Sequence, residues 1–184
     1  MVLAAQRRLL GALTLSLALT AAAVVTISIG LVRGGRLALA AVVPNLWPVA
    51  VALGAMGWLG VPIDAATVMI AAVVLGVAVD DTLHYLGALR RAGGGRAPAA
   101  AARWALEEVA PAHLLTTLVL AGGFAVLAGS SFLPVARFGG VAAMALLAAL
   151  AADFLWVPAL TAAARRRELA RFTRRPAGDR PPRG

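Results

Sequence analysis

Two adjacent carboxylates inside an apolar run constrain this chain more than any other feature. Gly76-Val77-Ala78-Val79-Asp80-Asp81-Thr82-Leu83-His84 places Asp80, Asp81 and His84 in an otherwise uncharged stretch that begins after Asp64 and ends at Arg90. Such a stretch is long enough to cross a bilayer as a single helix. At the helical rise, Asp80 lies about three quarters of the way across the hydrocarbon. Ionisable groups at that depth are costly, so a functional role is their default reading.

Composition agrees. Of 184 residues, 61% are hydrophobic and only 14% are charged, with a mean hydropathy of +0.88, which is the balance of a membrane protein rather than a soluble domain. The absence of cysteine excludes disulfides, thiolate metal sites and thiol catalysis. His84 and His113 alone do not make a zinc site, so no metal is expected. No nucleophile–base pair or phosphate loop is present, and enzymatic activity is not expected.

The expected fold is all-α, a polytopic bundle of five spans over residues 9–164. The first, about 9–32, follows Arg7-Arg8 and is too long for a signal-peptide core, although a signal peptide is the alternative. The basic turn Arg33-Gly34-Gly35-Arg36 leads to a second span, about 37–60, in which Pro44 and Pro48 flank Asn45 and predict a kink. Asn45 is either a strut between helices or part of a polar pathway. Asp64 is the expected N-cap of the third span, about 65–89. Residues 90–110 read as a polar connector. Its triple glycine breaks the helix, and Pro98 opens an interfacial helix carrying an Arg103–Glu107 pair and Trp104. The fourth span, about 111–131, and the fifth, about 138–164, are separated by a turn holding Pro134 and Arg137. Residues 165–184 form a basic tail, expected to be disordered and cytoplasmic.

Charge sets the expected orientation. With five spans and a cytoplasmic C-terminus, fourteen of the seventeen arginines fall inside, and the N-terminus lies outside. The net charge of +9 therefore reports topology, and nucleic acid is not an expected partner.

The order of motifs resembles the last five helices of an RND-superfamily exporter of the MMPL type, a group related to sterol-sensing helical units. The matching stretches are Leu37 to Pro48 (LALAAVVPNLWP), Gly60 to Asp64 (GVPID) and the Gly76 to His84 segment, which is similar to the family's Gly-x-x-x-Asp-Asp helix. Thr116-Thr117, Gly122-Gly123-Phe124, Ser130-Ser131-Phe132, Phe138-Gly139 and Asp153 to Pro158 complete the set. The resemblance spans residues 9–164. It implies a multi-pass protein of a bacterial inner (plasma) membrane, acting as the C-terminal transmembrane portion of a proton-motive-force-driven exporter of lipid-like or hydrophobic molecules. It also implies that an N-terminal half or a partner chain supplies the rest, with membrane lipids as neighbours. No cofactor is implied beyond protons as the coupling ion.

The residues fit that chemistry. Two carboxyls adjacent in a low-dielectric site do not ionise independently, because desolvation and like-charge repulsion act on both. A carboxyl so placed can load a proton from one side and release it on the other. His84, four residues after Asp80 and three after Asp81, is placed to relay protons or to neutralise charge. Tyr85 is expected to cap Asp81, Gly76 to admit a neighbouring helix, and Thr116 or Thr117 to supply hydrogen bonds. Asp153 on the fifth span either pairs with a polar group or joins the coupling network. Alternatively, Asp80 and Asp81 lie at the cytoplasmic interface with His84 and Arg90 as partners. At the level of function the alternatives are a non-transporting scaffold or lipid-sensing module, and an inactive truncated fragment.

Overall fold

The computed structural model describes residues 43–62, 65–93 and 95–174, together with scattered positions between Gly11 and Thr26. The expected first span as a whole, the basic turn at Arg33–Arg36, the cap at Asp64 and residues 175–184 lie outside the described residues.

Every regular element among the described residues is helical. A 3-10 turn, Val43–Asn45, leads into α1, Leu46–Trp58. Pro48 falls in the first turn of α1, where a missing N–H leaves no intrahelical bond unmade. The proline pair therefore marks the entrance of this helix. α1 ends at Gly60, whose φ of 63° is readily available only to glycine. There the Leu59 N–H donates to Ala55 O and the Val61 N–H to Met56 O, each at 2.8 Å, which closes the end carbonyls before Pro62.

α2 is Ala65–Arg91, α3 is Pro98–Ala128 and α4 is Leu133–Arg174. Each contains a stretch long and apolar enough to cross a membrane: Met69–Arg91, Pro98–Ala128 and Leu133–Arg167. α1, with 13 residues, reaches only about 20 Å and does not qualify by itself. α2 closes with Arg90 and Arg91, whose charge suits a helix C-terminus. Pro98 occupies the first turn of α3, as its fixed φ favours.

Three boundaries differ from the sequence reading. The interfacial helix expected in the 90–110 connector and the fourth span are one helix, with Pro111 inside it. Pro134 and Arg137, expected in a turn, belong to the start of α4. The tail expected to be disordered from Arg165 is helical through Arg174, since Arg, Leu, Glu and Ala are strong helix formers. The Arg103–Glu107 pair forms, with Nε and Oε1 2.8 Å apart on an exposed face.

α4 is the organising helix and touches α1, α2, α3 and the 3-10 turn. Its antiparallel contact with α3 is close because Gly139 lies against the α3 backbone near Phe124 and Ala128. Phe124 and Phe138 add an edge-on ring contact with centroids 5.6 Å apart, and Trp47 meets Trp156 at 4.7 Å across α1 and α4.

The buried apolar residues form two clusters. One gathers Ile70, Val74, Ala121, Val141, Ala145 and Leu146 with Ala52 and Met56 of α1. The other gathers Tyr85, Leu86, Leu89, Ala105, Val109 and Val157. Between them, at the same level of all three long helices, lies a polar layer: Asp81 and Thr82 on α2, His113 and Thr117 on α3, and Asp153 on α4, all buried.

Candidate functional site

The polar layer follows from helical geometry. Successive residues turn by about 100°, so Asp80 and Asp81 cannot share a direction. Asp81 faces α3 and α4 and is 6% exposed. The Asp80 side chain is 70% exposed and stands on the flank of α2, at the cleft toward α3. The adjacent acids therefore occupy two environments, one inside the bundle and one on its flank.

Inside, His113 Nε2 lies 3.5 Å from Asp81 Oδ1. Asp153, on α4, completes a trio with Asp81 and His113 in which one ligand atom from each residue lies within 4.8 Å of the others. All three side chains are buried. Asp81 Oδ2, Asp153 Oδ2 and both ring nitrogens of His113 have no hydrogen-bond partner among the described residues. One turn of α3 beyond His113, Thr117 is fully buried.

On the flank, His84 Nε2 lies 3.7 Å from Asp80 Oδ1, and both side chains border a cleft of about 500 Å³ between α2 and α3. Gly76, Asp81, Arg91, Glu108, His113 and Thr116 also line this cleft. Arg91 and Glu108 approach to 3.5 Å at one end of it. Asp81 and His113 thus belong to the polar layer and to the cleft wall together, giving the buried trio a route to the flank.

The other expected residues separate into roles. Asn45 Oδ1 accepts a hydrogen bond from Thr82 Oγ1 at 2.9 Å, which ties the turn before α1 to the polar layer. Tyr85 does not cap Asp81 as expected. Its hydroxyl lies 2.9 Å from Thr161 Oγ1. Thr161 gives its own proton to Val157 O at 2.7 Å, so the tyrosine is the donor to Thr161. The cause is again angular, since Tyr85 lies on the side of α2 that faces α4. Gly76 does not admit a neighbouring helix among the described residues. It is exposed on the cleft, and a Cβ there would meet nothing within 4 Å. Thr116 is exposed and turns its hydroxyl back onto Ala112 O and His113 O, so it supplies nothing to the acids.

His113 was missed as a site residue. Its signal is spacing: Ala101, Ala105, Val109, His113, Thr117 and Ala121 recur every four residues and are all buried on one face of α3. A histidine in the middle of such a face needs a polar partner on another helix. Thr82 and Thr161 were missed for the simpler reason that isolated hydroxyls in apolar helices commonly bond their own backbone.

A comparison with known families agrees with this architecture. The family model described as Patched, Patched SSD, matches residues 10–164, a region that includes all of the polar layer. No curated protein and no solved structure matches the chain. The Patched sterol-sensing domain is related to the RND and MMPL group that the motifs resemble. On the extent of that match, the chain belongs to the Patched family, through its sterol-sensing domain.

Proposed function

We propose that the chain is the C-terminal transmembrane portion of a proton-motive-force-driven exporter of the RND superfamily, MMPL type, acting on lipid-like or hydrophobic molecules in a bacterial inner membrane. Membership of the Patched sterol-sensing-domain family supports an RND-like function related to sterols or other lipids. Five spans, an outer N-terminus and a cytoplasmic C-terminus complete the proposal, on the distribution of arginines.

The observation that carries it is the split between Asp80 and Asp81. A proton carrier needs a carboxyl shielded from lipid and a polar route by which protons reach it. Asp81 is buried in the polar layer, and Asp80 stands on the cleft that leads to it. Asp80 and His84 are also too polar to face acyl chains, which supports a further bundle, from an N-terminal half or a partner chain, seated on this flank. Each proton moved through the membrane potential supplies about 2.3 kcal/mol per 100 mV.

The test is protonophore-sensitive movement of a fluorescent lipid in membrane vesicles that contain the full assembly. Asp80→Asn and Asp81→Asn are each expected to lower the rate at least tenfold, the equivalent of ~1.4 kcal/mol or more in barrier, with unchanged protein levels. Movement indifferent to protonophore and to both substitutions contradicts the proposal. The family match favours one second reading, a lipid-sensing module without transport. It predicts that lipid binding persists in both variants and that no gradient-dependent movement occurs in the unsubstituted protein.

A further inference from the structure

We propose that Asp81, His113 and Asp153 form a buried binding site for a first-row divalent metal ion of the zinc and cobalt class. This goes beyond proton coupling and uses two residues, His113 and Asp153, that the coupling proposal does not require.

The first support is convergence. Three side chains from three different helices each bring a ligand atom to within 4.8 Å of the others. In a tetrahedral site with bonds of about 2.0–2.2 Å, neighbouring ligand atoms stand about 3.4 Å apart. The His113 to Asp81 separation of 3.5 Å already has that value. Asp153 completes the trio from α4, its ligand atom within 4.8 Å of the other two.

The second support is what these groups lack. Asp81, His113 and Asp153 are 6%, 4% and 5% exposed. Each nevertheless turns at least one polar atom to a place where no hydrogen-bond partner lies among the described residues. Buried polar atoms are normally satisfied. An ion at the centre of the trio would satisfy one atom of each residue at once.

Charge and donor type select the class. Two carboxylates bring a charge of −2, which a divalent ion cancels, leaving a neutral cluster in a low-dielectric interior. An imidazole nitrogen with two carboxylate oxygens suits zinc and its d-block neighbours, whereas magnesium and calcium prefer all-oxygen sets. Sequence reasoning excluded a metal by counting histidines, and the two carboxylates supply the donors that count omitted. Three protein ligands leave a fourth position for water, and Asp81 and His113 border the cleft from which water can enter.

The test uses the full chain, purified in detergent with a histidine-free affinity tag and stripped of metal. Cobalt(II) is then titrated while its visible ligand-field absorption is followed, and zinc is added as competitor. The expected result is one equivalent of cobalt, a tetrahedral-type spectrum and complete displacement by zinc. His113→Gln and Asp153→Asn should each weaken binding by on the order of 100-fold or more, since each removes a direct ligand and even an outer-shell partner is worth about 10–100-fold. His84→Gln, on the exposed flank, should leave the stoichiometry at one. Tryptophan fluorescence during heating reports whether each variant is folded. If a variant is not, the unsubstituted chain still decides the matter, because zinc must raise its melting temperature where magnesium and sodium do not. Less than half an equivalent of cobalt, binding that survives both substitutions, or binding lost with His84→Gln overturns the proposal. None of these readouts involves transport, so failure of the metal site and failure of proton coupling are told apart.

Discussion

Replacing Gly139 with alanine lowers the stability of the bundle by about 2 kcal/mol, although glycine is the poorer helix former. A Cβ at this position would lie 2.5 Å from Phe124 O, 2.7 Å from Leu127 Cβ and 2.8 Å from Ala128 N. Two of those three atoms are backbone and cannot rotate away. α3 and α4 must separate along their tightest contact, and such overpacking costs about 3 kcal/mol. The gain in helix propensity returns roughly 1 kcal/mol, which leaves the loss dominant. Gly140 is the internal control. A Cβ there meets Ala128 Cβ at 3.8 Å, an ordinary contact, so Gly140→Ala is neutral or stabilising by up to about 1 kcal/mol. Unfolding in mixed detergent micelles, followed by tryptophan fluorescence, reads both variants. Equal effects at the two glycines would refute the close approach of α3 and α4.

His113→Leu costs about 2 kcal/mol, because it replaces the polar neighbour 3.5 Å from Asp81 Oδ1 with an apolar side chain and leaves two buried acids facing it. The substitution is close to volume-conserving, so cavity formation contributes little. The diagnostic result is the double variant. Asp81→Asn added to His113→Leu removes one of the two facing carboxyls and recovers most of the loss. The coupling energy of that cycle should be at least about 1 kcal/mol, as for residues sharing one polar network. A His113→Leu protein as stable as the parent would mean that the polar layer does not depend on the imidazole.

The long helices were legible because apolar runs bounded by charge are a strong signal. A helix is expected at 65–89, and α2 runs Ala65–Arg91. Pro98 reads as a helix start and opens α3, since its chemistry is local. Pro111 misled because the same residue type is tolerated inside a membrane helix. Arg165 to Arg174 misled because a basic run followed by prolines resembles a solvated tail, yet its residues are good helix formers and simply continue α4.

At the site, residue identity was easier to read than direction. Asp80, Asp81, Asn45 and Asp153 stood out as polar groups in apolar helices. Angle decides their use: Asp81 and Asp153 turn inward together, whereas Asp80 and His84 turn to the cleft. Tyr85 was assigned to Asp81 on spacing along one helix, but its partner is Thr161 on another. Pairings between helices depend on how the helices rotate about their axes, and no single segment encodes that. The four-residue spacing around His113 encodes half of such a pairing, and Asp153 is legible as the other half only once α3 and α4 are seen to meet.

Proton movement through the assembled protein tests the central claim most directly. The full assembly is reconstituted into liposomes holding a pH-sensitive dye, and a membrane potential is imposed in the presence of lipid substrate. The account predicts proton entry that stops with Asp81→Asn while the variant remains folded and inserted. Proton entry no faster than in empty liposomes, or equal entry through the Asp81→Asn protein, would contradict it.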